Sequence, residues 1–237
     1  MISFCIPFRT DNGHRETSFQ FVTQTLKKEW PDDEILIADS RDELFSRSKS
    51  RNAAAAKATG SVLVFLDADS YVPLRQLREA ITAIENWAGM DWMFPYSLYY
   101  SLTAPGTLKL MATGEADERD CVYVFPGPDP YDRPVSVGGC VIVRREAFER
   151  VGGYDERFIG WAFEDRAFAY SLEAFYGPAL RVIGPLYHLW HPDVETDKFA
   201  HPQMEANRAL CNRYEAARNS PVAMRQIIEE RGVTIRA

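Results

Sequence analysis

The sequence predicts an α/β protein, a doubly wound and mostly parallel sheet flanked by helices, with a C-terminal helical extension. Three observations carry that prediction. Strand, helix, strand, helix, strand patterns alternate through the first seventy residues. The third strand, Val62-Leu63-Val64-Phe65-Leu66, is apolar at every position, which suits a strand covered on both faces. The three strands exit into Pro7-Phe8-Arg9, Asp39 and Asp67-Ala68-Asp69, so chemistry-bearing residues should converge on one crevice at the carboxyl edge of the sheet.

Each element has its own signal. Ile2 to Pro7 is the first strand, and Arg15 to Trp30 is helical because Phe19, Val22 and Leu26 fall on one face. Pro31-Asp32-Asp33 breaks that helix before a second strand, Glu34 to Asp39. Ser48 to Thr59 is an Ala-rich helix closed by Gly60. Pro73 to Trp87 predicts a helix and Asp91 to Tyr100 an aromatic-rich strand. From Thr103 to Pro134 the chain reads as one long irregular loop, centred on Pro126-Gly127-Pro128-Asp129-Pro130, suited to an acceptor-facing lid. Val135 to Val143 is a strand whose Gly138-Gly139 lets a ligand or another backbone approach closely. Glu146 to Val151 is a short helix, Gly152-Gly153 a turn, and Glu164 to Ala174 a helix opening with acids that also suit its dipole. Pro202 to Arg218 and Pro221 to Glu230 are terminal helices, the second with Ser220 as N-cap.

Composition narrows the function classes. Twenty-seven Lys and Arg against 34 Asp and Glu give a formal charge of −7, so no basic field attracts a nucleic-acid duplex. Positive charge for an anionic substrate must be local. Cys5, Cys121, Cys140 and Cys211 are far apart and without C-x-x-C spacing, which reads as reduced, mostly buried thiols. The chain enters its first strand without a basic or long apolar leader, and no apolar stretch approaches the ~20 residues of a membrane span. The expectation is a soluble, cytoplasmic protein without a transmembrane segment.

An Asp-x-Asp at a strand end offers oxygen ligands to a hard divalent cation, a common way to hold a nucleoside diphosphate. Later in the chain, His188-Leu189-Trp190-His191 offers two imidazoles. Between them stands the longest ordered motif: Gly138-Gly139, Arg145-Glu146-Ala147-Phe148, Val151-Gly152-Gly153-Tyr154-Asp155-Glu156, Phe158, then Gly160-Trp161-Ala162-Phe163-Glu164-Asp165. Together with Ile6-Pro7-Phe8-Arg9 and Phe45-Ser46-Arg47-Ser48-Lys49-Ser50-Arg51-Asn52, these segments resemble, in order, GT-A-fold family-2-type glycosyltransferases, and most closely the β-1,4-galactosyltransferase-like group. Ala162 stands where that pattern has a second glycine, and Arg166 where an acid is usual. The resemblance does not reach the helices after about Thr196.

The resemblance implies a domain over residues 1–195, with a nucleotide-sugar-binding half at 1–100 and an acceptor and catalytic half at 101–195, followed by the extension at 196–237. It implies transfer of a sugar from a nucleoside-diphosphate sugar, a UDP-sugar in the first place, to a hydroxyl of a glycan or protein acceptor. Pro7, Phe8, Arg9, Asp39, Phe45, Arg47 and Asp67 would meet the nucleotide sugar, with Asp39 accepting from the uracil imide and Phe45 near the base. Asp69, His191 and His188 would hold the metal, and imidazole ligands favour Mn²⁺ over Mg²⁺. Asp165 would be the general base of an inverting transfer, its proton affinity raised by desolvation and by Glu164. Glu164 would orient the acceptor and Trp161 would offer a platform to a sugar face. Plain structural roles stand beside these: Trp161 and Phe45 as core, Arg9 and Arg47 as surface arginines, either histidine as a hydrogen-bonded structural residue. Two other functions compete. A haloacid-dehalogenase-like phosphotransferase also places Asp-x-Asp after an apolar strand, but gives no task to the Glu-Asp and His-x-x-His segments. A non-catalytic carbohydrate-binding module would account for the aromatics alone.

Overall fold

A computed structural model describes residues 1–125, 136–160, 162–192 and 203–233. The predicted opening is present: β1 (Ile2–Pro7), α1 (His14–Glu29), β2 (Glu34–Ala38), α2 (Arg47–Ala55) and β3 (Val62–Leu66). Every residue of β1 and β3 is buried, as their unbroken apolar runs require. There follow β4 (Ser70–Tyr71), α3 (Leu74–Asn86), β5 (Trp92–Phe94), β6 (Leu98–Leu102), α4 (Ala104–Thr113) and β7 (Cys121–Phe125). The remainder is β8 (Cys140–Arg144), α5 (Arg145–Arg150), α6 (Glu164–Tyr176), β9 (Leu180–Arg181), β10 (Pro185–His188), α7 (Gln203–Ala217) and α8 (Pro221–Glu229).

The main sheet has the order β2-β1-β3-β8-β5-β9. Strands β1, β2 and β3 are parallel, so their carboxyl ends share one edge. The β8 strand runs antiparallel to β3 with Leu66 opposite Cys140, which brings the Gly138-Gly139 entry of β8 to that same edge. There the Asp67 amide donates to the Gly139 carbonyl at 2.9 Å. The sheet is therefore mixed beyond its third strand, since β8 is antiparallel to both neighbours. A second sheet, β4-β10-β6-β7, sits beside the crevice. No pattern predicts β4, β9 or β10, because strands of two to four residues carry no periodicity.

Three local expectations are corrected. The predicted strand over 91–100 is two strands interrupted at Pro95, which has no N–H for a ladder. The segment expected to be irregular from Thr103 is ordered as far as Phe125, as α4, a 3₁₀ turn at Glu118–Asp120 and β7; the rest of that segment lies outside the described residues. In α4 the Thr103 hydroxyl accepts from the Gly106 amide, and Pro105 occupies the first turn, where a missing N–H costs nothing. Finally, α2 ends at Ala55 and not at Thr59, since the Thr59 amide donates to Glu34 Oε2 (2.8 Å) and the Gly60 amide to Ser3 Oγ (2.9 Å) in place of helix carbonyls.

The four cysteines are free thiols, with Cys5, Cys140 and Cys211 buried, and burial pushes the Cys5 thiol up to about 12. Among the described residues no helix is long and apolar enough to cross a membrane. Helices α7 and α8 pack on α6 and grip the turn before it. Tyr214 donates to the buried Asp155 carboxylate at 2.8 Å, Arg157 chelates the same carboxylate, and Asn207 Nδ2 donates to the Ile159 carbonyl at 2.9 Å.

Candidate active site

Short-range pairing explains how residues more than a hundred positions apart meet. Strand β4 begins directly after Asp69, and β10 pairs with it antiparallel with His188 opposite Ser70. The Leu189 amide donates to the Asp69 carbonyl at 2.7 Å. As a result His188 Nε2 lies 3.9 Å from Asp69 Oδ1 and His191 Nε2 lies 3.5 Å from Asp69 Oδ2. One ligand atom from each of Asp69, His188 and His191 falls within 4.8 Å of the others. His191 Nδ1 faces the Pro192 carbonyl at 3.0 Å, and a carbonyl only accepts, so Nδ1 is the donor of that pair and Nε2 is the ring nitrogen turned to Asp69. Burial lowers the His188 pKa, which also favours the neutral, ligating form. Although burial works against ionisation, His188, Arg15 and His191 hold the Asp69 carboxyl below its usual pKa. A carboxylate oxygen with two imidazole nitrogens is a donor set that fits a divalent transition ion.

A second cluster is organised by a residue that the sequence motifs leave without a role. Arg51, on the same face of α2 as Arg47 one turn earlier, is 2 % exposed. Its Nη2 donates to Asp67 Oδ1 and its Nη1 to Asp165 Oδ1, both at 2.7 Å, and Glu164 Oε1 lies 3.6 Å from Nη1. The guanidinium stands 4.9 Å from the centre of the Tyr154 ring, which stacks on Phe168. Burial opposes the Arg51 charge, but Asp165 and Asp67 outweigh it and raise its pKa well above the usual value. Arg51 thus ties the Asp-x-Asp turn to the first turn of α6. The signal for a buried arginine is only its spacing from Arg47 on a helix otherwise made largely of small residues.

The Asp165 pKa is raised to about 7, the balance of burial, which drives it up, Arg51, which pulls it down, and Glu164 and Asp67, which push it up. Its Oδ1 is committed to Arg51, while Oδ2 faces Gly138, where an added Cβ would stand 3.1 Å away. The missing side chain leaves that oxygen room. Ala162 and Phe163, just before α6, hold φ of +88° and +76°, a left-handed path that L-residues resist. Trp161 lies outside the described residues.

Of the residues expected to meet the nucleotide, Arg9, Asp39 and Phe45 lie together. Pro7 pairs with Ala38, and the Phe8 amide donates to the Ala38 carbonyl at 3.0 Å while its ring stacks on Phe19 at 4.0 Å. Arg9 grips Asp39 through Nε (3.1 and 3.0 Å) and Nη2 (2.6 Å) and lies 5.4 Å from the Phe45 ring centre. Its charge is therefore spent on Asp39, whose carboxyl is held below the ordinary range mainly by this pair. Arg47 is the half-buried cation here. Burial opposes its charge, and Glu164, Asp67 and Asp69 restore it.

A family model described as the N-terminal domain of galactosyltransferase matches residues 127–176. Among curated protein sequences none matches the chain significantly. Among solved structures, the catalytic domain of Drosophila β1,4-galactosyltransferase 7 in complex with xylobiose has a TM-score of 0.53 at 18% identity, over 87% of this chain and 79% of that one. A point mutant of the same enzyme, in complex with manganese, UDP-Gal and xylobiose, has a TM-score of 0.52 at 16% identity over the same shares. Glucosyl-3-phosphoglycerate synthase from Mycobacterium tuberculosis, in complex with Mn²⁺, UDP-glucose and phosphoglyceric acid, has a TM-score of 0.55 at 14% identity, over 92% of this chain and 79% of that one. The chain therefore has the GT-A fold of nucleotide-sugar glycosyltransferases, and its 127–176 segment matches a galactosyltransferase domain, as the motifs imply.

Proposed function

We propose that the protein is a metal-dependent glycosyltransferase that moves a sugar from a UDP-sugar to a hydroxyl of a glycan or protein acceptor, with inversion. The observation that carries this is the joining, through Arg51, of the turn bearing Asp69 and its two histidines to a carboxylate of raised pKa at the head of α6. Asp69, His188 and His191 would hold the ion, which supplies Lewis acidity to the departing diphosphate when bound. Asp39, ionised and fixed by Arg9, keeps lone pairs for a uracil imide beside Phe45. Arg47 would add positive charge on the donor side, and Asp67 would face the ribose. As the acceptor oxygen bonds to the anomeric carbon, its proton passes to Asp165 Oδ2, and the bond to the diphosphate breaks with its electron pair leaving on that group. Glu164 and Trp161 would orient the acceptor. The phosphotransferase alternative leaves both histidines and Asp165 without a task.

Thermal melts with UDP, GDP and CDP, with and without Mn²⁺, test the reading. UDP should raise the melting temperature only when Mn²⁺ is present, and Asp69→Ala should abolish the shift. Absence of any nucleotide-dependent shift in the unaltered protein overturns it.

A further inference from the structure

One cation at the metal-ligating cluster has no part in the chemistry described so far. Arg15 lies in the first turn of α1. That turn is fixed from two sides: the Asp11 carboxylate accepts from the Gly13 and Arg15 amides at 2.9 and 3.3 Å, and the His14 ring meets Trp190 edge-on at 5.0 Å. Arg15 Nη2 donates to Asp69 Oδ2 at 3.3 Å, the same oxygen that His191 Nε2 approaches at 3.5 Å. Its Nε–H is buried and finds no acceptor among the described residues. A guanidinium held by one long hydrogen bond, with a second donor dry and unused, is poised for a better acceptor.

We propose that Arg15 is an exchange arginine, which neutralises Asp69 while the cluster holds no metal and turns to the diphosphate of the donor once a divalent ion takes Asp69, so that metal and nucleoside diphosphate bind cooperatively. The inference rests on the glycosyltransferase reading and adds a residue to it. A guanidinium and a divalent cation drawn to the same carboxylate oxygen repel each other at that range. The ion therefore weakens the long Arg15–Asp69 contact, and metal binding without nucleotide is weakened by that loss. A planar fork released beside the ion matches phosphate oxygens, which restores the lost interaction only when a diphosphate is present. By linkage, UDP then strengthens metal binding by the same factor as metal strengthens UDP binding.

Calorimetric titration of Mn²⁺ alone, with UDP and with uridine tests this on the intact chain and on Arg15→Gln and Arg15→Lys. In the unaltered protein UDP should tighten Mn²⁺ binding and uridine, which has no phosphate, should not. In Arg15→Gln, Mn²⁺ alone should bind several-fold tighter, and the tightening by UDP should shrink by about tenfold, the worth of a charge-assisted hydrogen bond. Arg15→Lys should keep an intermediate coupling. Unchanged Mn²⁺ affinity and unchanged coupling in Arg15→Gln overturn the exchange role. Failure of the unaltered protein to bind UDP at any Mn²⁺ concentration is a different result, and overturns the donor-site reading itself.

Discussion

Replacing Arg51 with Met should destabilise the protein most at alkaline pH, and the pH dependence separates an electrostatic role from simple packing. The side chains are similar in length, so the change removes charge and hydrogen bonds more than volume. Two 2.7 Å charge-assisted bonds are lost, to Asp67 and Asp165, each worth about 1.5–3 kcal/mol. Breaking a buried pair by removing one partner costs about 3–5 kcal/mol. Both carboxylates keep roughly a fifth of their surface in water, with exposures of 20% and 23%. The lower end, about 3 kcal/mol, is therefore expected at pH 8.5. Asp165 sets the trend with pH. Its folded pKa, about 7, lies above the ordinary 3.8, so the folded state binds the extra proton and stability falls as pH rises between those values. Arg51 is what pulls that pKa down, so without it the window extends upward. In Arg51→Met the deficit should therefore be largest above pH 8 and shrink toward pH 5.5, where Asp165 takes a proton and one of the stranded charges disappears. Urea unfolding at pH 5.5, 7 and 8.5 measures it. A deficit below about 1 kcal/mol at pH 8.5, or one that does not change with pH, refutes the reasoning.

Two further outcomes follow from the backbone around Asp165. Ala162 holds φ +88°, a conformation that costs an L-residue about 1–2 kcal/mol, while glycine returns about 0.4–1 kcal/mol of that in the unfolded chain. Ala162→Gly should thus stabilise by roughly 0.5–1 kcal/mol, read as a higher urea midpoint, and a lower midpoint would contradict the strain. Gly138→Ala places a methyl group 3.1 Å from Asp165 Oδ2 at a position with no left-handed φ. Displacing that oxygen should lower turnover about 100-fold with little change in unfolding, and turnover at the original level would remove Oδ2 as the proton acceptor.

Much of the architecture is legible where burial writes a continuous pattern. Strands β1 and β3 are apolar throughout and stand where their runs predict, and the convergence of their exits follows from parallel pairing. Asp69, His188 and His191 are readable as candidate ligands because Asp-x-Asp and His-x-x-His are compact motifs of ligand chemistry, and pairing of β4 with β10 brings them together. Arg51 is not readable, because an arginine on a helix ordinarily points to water, and its burial depends on carboxylates 16 and 114 residues away. The spending of Arg9 on Asp39 is equally hidden, since two strand exits can be placed side by side without revealing that their charges cancel. The segment from Thr103 reads as irregular, and only the Thr103 cap on the Gly106 amide shows that a helix starts there.

The grip of α7 and α8 on the turn before α6 has a consequence for how this molecule opens. Asp155, Ile159 and the carbonyl of Gly152 are held from beyond α6 by Tyr214, Asn207 and Arg231, while Asn52 holds the Tyr154 backbone from α2. The turn is a keystone set between early and late parts of the emerging polypeptide. Glu164 and Asp165 follow directly from this turn, so local fraying of α7 and α8 and loss of the geometry around Asp165 should belong to one cooperative unit.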